Sequence, residues 1–221
     1  INIMDDPFAF LKNAFKKEKG VYAPAKPKYD YLYLPLYSYK SKTVLKSSGL
    51  NSWNGLPKSK SSSTVRPKGE AYIPIPKELW KKCPYWVDPK INMADYAYYK
   101  RMTGESSVQI NLHMPDGKIF PARFAQQGFK SLQTKPQSIL GSWILNVLGI
   151  TDPQRKQYDQ PATNIVTMKL LQQVGFDSLK LWHEDPSKPR EIWIDFAEYG
   201  SFERFMKDEP QIQNDDNYID E

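Results

Sequence analysis

From Val108 to Met114 the chain alternates strictly: Val108, Ile110, Leu112 and Met114 are apolar, while Gln109, Asn111 and His113 are polar. A period of two places successive side chains on opposite faces, as a half-buried strand requires and a helix does not. Pro115-Asp116-Gly117 follows at once, and Lys118 to Ala125 resumes the extended pattern, so this stretch predicts a β-hairpin. An isolated hairpin is at best marginally stable in water, so the chain must supply further strands to cover its apolar face. Tyr31 to Tyr37 reads as one, with Pro35 pushing it to an edge or a bulge. Ala71 to Pro76 is a short extended segment, and Asp177 to His183 and Glu191 to Phe196 read as two strands around the turn Glu184 to Arg190.

Helical signals are short. Lys77 to Lys82 reads as a helical turn, and residues 84 to 104 as aromatic and irregular, with Tyr96, Tyr98 and Tyr99 packing on the core. Ser138 to Leu148 predicts a helix that buries Ile139, Trp143, Ile144 and Val147 and stops at Gly149; Thr163 to Val174 predicts another that stops at Gly175. Asp6 to Lys19 predicts an amphipathic helix carrying Phe8, Leu11 and Phe15, with Pro7 in its first turn, and Gly20 to Lys28 a Pro-rich connector. The fold class is therefore mainly β with short helices. The expected organisation is a linker or helical remnant over 1–29, one domain over 30–200, and an acidic tail over 201–221.

Charge is distributed unevenly. The formal net charge is +6, yet Ser38 to Glu70 holds Lys40, Lys42, Lys46, Lys58, Lys60, Arg66 and Lys68 against Glu70 alone, with Ser61, Ser62 and Ser63 in the middle of this long polar loop. Lys118, Arg123, Lys130 and Lys135 form a second basic stretch without an acid, and Gln126 to Gln137 reads as a second polar loop. Eight acids oppose two bases from Glu198 to Glu221. Two separate basic segments suit a polyanion gripped from two sides. A loop as long as the first is uncommon in a compact domain unless it is functional.

A catalytic set does not emerge. His113 and His183 are the two histidines, and neither opens a His-x-Lys run. Asp88-Pro89-Lys90 has the local form of a nuclease element, but no upstream acid belongs with it. Glu191 and Asp195 share one face of a strand, as polar strand residues routinely do. No phosphate-cradling glycine loop is present. Cys83 excludes an internal disulfide and a multi-thiolate zinc site, and beside Pro84 it reads as a packed thiol. No cofactor or metal is expected, and no stretch reaches the roughly 18 apolar residues of a membrane span. The opening Ile-Asn-Ile-Met, without initiator or signal peptide, reads as a cytoplasmic piece of something longer.

Ser48 to Gly55 (SGLNSWNG), Glu70 to Pro76 (EAYIPIP), Leu112 to Ala122 (LHMPDGKIFPA), Gln126 to Lys130 (QQGFK) and Leu140 to Leu148 (LGSWILNVL) occur in an order that resembles the C-terminal region of NgoFVII-type restriction endonucleases. The resemblance runs from about Tyr31 to Ala197. In that family a phospholipase-D-like nuclease domain precedes a recognition domain similar to the pseudobarrel of plant transcription factors of the B-three type. It implies a seven-stranded open pseudobarrel with two or more short helices. Two arms would enter the major groove of double-stranded DNA, an N-arm over Ser38 to Glu70 and a C-arm over Arg123 to Gln137. It implies a short GC-rich site, a catalytic domain outside this fragment, and possible further subunits of a restriction complex as partners. The insert Lys58 to Lys68 departs from the family pattern.

On that reading, point charges and hydroxyls suit phosphate: Lys40, Lys42, Lys46, Ser47, Ser48, Lys68, Lys130, Ser131, Thr134 and Lys135. Base edges call for fixed donor and acceptor geometry. Arg123 or Arg66 suits guanine, and Gln126, Gln127, Asn51 and Asn54 suit adenine or a bridge between neighbouring pairs. Glu70 either accepts from cytosine N4 or pairs with Lys68 or Arg66. Trp53 either stacks at the arm or anchors beneath it, and Gly128 permits close backbone approach. The alternative is a basic single-strand nucleic-acid or protein-interaction barrel in which Tyr and Trp stack bases.

Overall fold

A computed structural model describes residues 29–52, 69–150 and 164–207. The expected helix Asp6 to Lys19, its connector, the insert Lys58 to Lys68 and the tail beyond 207 lie outside these residues, as do Trp53, Asn54 and Arg66. Seven strands form one sheet: β1 Tyr31–Pro35, β2 Ile73–Pro74, β3 Val108–His113, β4 Ile119–Ala125, β5 Ser131–Thr134, β6 Phe176–Trp182 and β7 Glu191–Glu198. Their spatial order is β1-β6-β7-β3-β4-β5-β2. Every pairing is antiparallel except β3 with β7. The two ends of that order approach each other, so the sheet is a nearly closed barrel.

The alternation that predicted the hairpin fills the barrel. Val108, Ile110 and Leu112 point inward from β3, and Ala122 and Phe124 from β4, with Ile110 opposite Ala122 and Val108 opposite Phe124. β1 contributes Leu32 and Leu34, β6 Leu179 and Leu181, and β7 Ile192 and Ile194, all at most 1 % exposed. Gly117, at φ 81°, makes the tight turn after Met114. Pro35 ends β1, which stands at one end of the strand order as a proline-bearing strand should.

Helices plug and flank the barrel: α1 Lys77–Lys82, α2 Tyr96–Thr103, α3 Ser138–Val147, α4 Met168–Val174 and α5 Ser201–Met206. α2 corrects the irregular reading of 84 to 104. Its start and stop are written in the sequence: the Asp95 carboxylate accepts from the Tyr98 amide at 3.0 Å, and Gly104 closes it in the left-handed region. Tyr99 is its one buried residue and Tyr98, expected on the core, is exposed, so it carries almost no apolar stripe. α4 starts at Met168 rather than Thr163, because the Thr167 hydroxyl accepts the Leu170 amide and sets the N-cap there. α5 falls where acidic tail was expected and docks Phe202 and Phe205 onto the core. β5 corrects the reading of Gln126 to Gln137 as one loop. Ser-Leu-Gln-Thr has no apolar alternation, yet all four residues are buried between β4 and β2.

Candidate nucleic-acid interface

The turn between β4 and β5 is built on a plug. Phe129 is fully buried, with its ring edge-on to Tyr96 and Tyr99 at 5.0 and 5.2 Å. Its carbonyl accepts the Trp80 indole N–H at 3.0 Å, and its amide donates to the Gln126 carbonyl at 2.9 Å. Gln126, Gly128 and Phe129 all have positive φ, at 66°, 80° and 52°. For the two non-glycine residues that conformation costs on the order of 1–3 kcal/mol each and persists only where the surroundings dictate it. Burial of the Phe129 ring offsets that cost. The result is a rigid tip on which Gln126, Gln127 and Lys130 are exposed.

The segment after β1 starts with a tight reversal. The Ser38 amide donates to the Thr43 carbonyl at 2.8 Å, with Lys42 in the left-handed region. Lys42 pairs with Glu203 of α5 and lies 3.7 Å over the Tyr39 ring. Glu203 also accepts the Tyr37 hydroxyl at 2.7 Å. Burial would raise the Glu203 carboxyl, but the bonds from Lys42 and Tyr37 outweigh it and hold it below the usual range. Burial, reinforced by that bond to Glu203, drives the Tyr37 phenol far up. Lys42 is thus tethered, whereas Lys40, Lys46 and Ser47 are exposed and Ser48 is half-buried. Between this reversal and the start of α1 lies a cleft of about 530 Å³, lined by Tyr37, Tyr39, Lys40, Pro74, Pro76 and Lys77 among others.

The same segment returns to the barrel at Gly69 and Glu70. The Ser52 hydroxyl donates to the Glu70 carbonyl at 2.7 Å, drawing the two feet together. Gly69 packs against α3 so closely that a Cβ on Gly141 would lie 2.0 Å from the Gly69 carbonyl oxygen. The Ala71 amide then approaches the Gln137 carbonyl at 3.5 Å, and the Ile75 amide donates to the Lys130 carbonyl at 2.7 Å. The return strand therefore runs alongside β5 from its end back to its start, binding the two basic segments to one another.

Arg123 belongs to the second segment, exposed on the outward face of β4 and paired across to Gln133 of β5. Its Nε and Nη2 donate to Gln133 Oε1 at 3.3 and 3.1 Å. Gln137 donates to the same oxygen at 2.9 Å, while Gln133 Nε2 donates to Ser131 Oγ at 2.9 Å. Neither Gln133 nor Gln137 stands out in the sequence as a site residue; the register opposite Arg123 is the signal, and it exists only once β5 is recognised as a strand.

Three of the expected contact residues are turned to internal use. Asn51 is 1 % exposed, bonded to the Leu45 and Val166 carbonyls at 2.9 and 3.0 Å and to the Val166 amide at 2.9 Å. Ser131 is fully buried and bonds Ala125 and Gln133. Thr134 is 2 % exposed and caps the Leu140 amide at 3.1 Å. Their polar atoms are taken up by bonds inside the fold. Glu70 is half-buried at the foot of the first segment, Lys135 is exposed at the end of β5, and Asn54, Arg66 and Lys68 lie outside the described residues.

The residues weighed for catalysis are likewise occupied. The Asp88 carboxylate holds the Lys90 amide and Arg190. Glu191 joins Asn111 and His113, and bonds from those two hold its carboxyl below the usual range. His113 stacks on Trp193 at 3.9 Å. Cys83 is buried. Among the described residues no group of three or more His, Cys, Asp or Glu is placed to hold a metal ion, and no helix is long and apolar enough to cross a membrane.

No curated protein matches the chain. The family model for the NgoFVII C-terminal B3-like DNA-binding domain matches residues 30–165, more than half of the sequence and every residue of the two basic segments. With its seven-stranded barrel, its glutamine-bearing tip and the outward arginine on β4, the chain belongs to the family of NgoFVII C-terminal B3-like DNA-binding domains.

Proposed function

We propose that this chain recognises a short, GC-rich sequence in double-stranded DNA, as the target-recognition part of a restriction endonuclease whose hydrolytic domain lies elsewhere in the cytoplasmic enzyme. The segments 38–70 and 123–137 act as two arms in the major groove. The observation that carries this reading is the tie between them. Ile75, just past the first arm, is bonded to Lys130, and Arg123 lies on β4 beside β5, so a duplex lying across β4 and β5 would meet both arms and the arginine together.

Arg123, Gln126 and Gln127 read bases, because a guanidinium and amides present paired donors and acceptors at fixed spacing. Lys40, Lys46, Ser47, Lys130 and Lys135 meet phosphate, joined by Lys68 in the insert; Asn54, Arg66 and Glu70 complete the N-arm's set of base contacts. Arg123→Ala, Gln126→Ala or Gln127→Ala should each cost about 1–3 kcal/mol of discrimination on the selected site and little on random duplex. Lys130→Ala should weaken all duplexes alike and lower the salt dependence of binding by about one ion. Gel shifts on a selected duplex, a scrambled duplex and the separated strands, at two salt concentrations, check these outcomes. Equal loss on cognate and random DNA from every substitution would refute the division of roles, and preference for single strands would favour a stacking barrel instead.

A further inference from the structure

An arginine can meet guanine O6 and N7 through either of two edges, the side edge Nε–Nη2 or the terminal edge Nη1–Nη2, and the two place the base differently. On Arg123 the side edge is taken: both of its nitrogens donate to Gln133 Oε1. Among the described residues Nη1 has no partner, and the second N–H of Nη2 stays available beside it on the terminal edge. We propose that Gln133 is a positioning residue that consumes the side edge of Arg123 and so presents the terminal edge to a guanine. This deepens the recognition reading and rests on it.

The direction of every bond around Gln133 follows from one fixed point. The Ala125 carbonyl only accepts, so Ser131 Oγ donates to it and accepts from Gln133 Nε2. That leaves Gln133 Oε1 facing Arg123 and Gln137, both donors. A flipped amide would aim N–H groups at a guanidinium, so the orientation is unique. Gln133 is only 6 % exposed, which keeps water from substituting for it. The chain of bonds also begins at Ala125, the residue before the strained turn, so the pose of Arg123 and the shape of the tip are set together.

The test uses the 221-residue chain and selection from random duplexes. If the unaltered chain enriches no motif, the recognition reading itself fails. Given a motif, Arg123→Met identifies the guanine it reads; if no position depends on Arg123, the inference is overturned. Gln133→Met, nearly the same volume without the oxygen, should then lower preference at that guanine about tenfold, leaving random-duplex affinity within about threefold. Added to Arg123→Met it should change nothing further, whereas an additive loss would mean that Gln133 acts on its own. Should Gln133→Met not fold, Ser131→Ala releases the amide to rotate and should reduce preference at the same guanine. Unchanged preference in a folded Gln133→Met or Ser131→Ala protein overturns the inference.

Discussion

A polar side chain in this molecule is decided by where its hydrogen bonds end, and residue type alone mispredicts it. Asn51 and Gln126 are both amides in basic, glycine-bearing stretches, yet one is sealed against the Val166 backbone and the other exposed on a turn. Removing a buried partner leaves the others unsatisfied, so Asn51→Ala should destabilise the fold by about 2–3 kcal/mol in a denaturant titration. His183 makes the corresponding case for charge. Burial lowers its imidazole, a bond to the Pro189 carbonyl only partly opposing it, and Trp86 lies 4.3 Å away. The folded state therefore favours the neutral ring. Its contribution is complete above the ordinary imidazole value and is lost as pH falls through that value toward the lowered folded one. Thermal melts between about pH 7 and about pH 5 should show His183→Phe losing less stability than the parent chain over that interval.

Elements with an apolar rhythm are legible in the amino-acid sequence itself. The β3–β4 hairpin, β6, β7 and α3 fall within two residues of their expected bounds, since each has one face in the core. β5 and α2 escape such a reading for the opposite reason. β5 has no apolar alternation and is buried between β4, its neighbour along the chain, and β2, which lies far away in sequence, while α2 is mostly exposed and held by its caps. The candidate site is legible in the same proportion. Exposed charges and the glutamine tip can be read directly, but Gln133 follows only from cross-strand register. Element packing also fixes a tight spot. α3 meets the return of the first basic segment through Gly141, whose added Cβ would sit 2.6 Å from that of Ala71 as well as against Gly69. Gly141→Ala should cost about 1–3 kcal/mol, read as a lower melting temperature, despite alanine's better helix propensity.

For the whole molecule, the strand order separates the matched family region from the folding unit. Residues 30–165 contain β1 to β5, but the hydrogen-bonded neighbour of β1 is β6, and one neighbour of β3 is β7. A protein ending at residue 165 would leave the inner faces of β1 and β3 uncovered and their ladder groups unpaired. It should lack a cooperative thermal transition, whereas residues 29–207 should melt in one; circular dichroism distinguishes the two.

The parallel contact of β3 with β7 gives that boundary a practical meaning. It splices a hairpin from the middle of the polypeptide to one from its later part, so neither half is a spare module. Anyone grafting this DNA-binding domain onto a nuclease must transplant the stave that closes the cask, through Met206, together with the glutamine tip, or the tip will arrive without a handle.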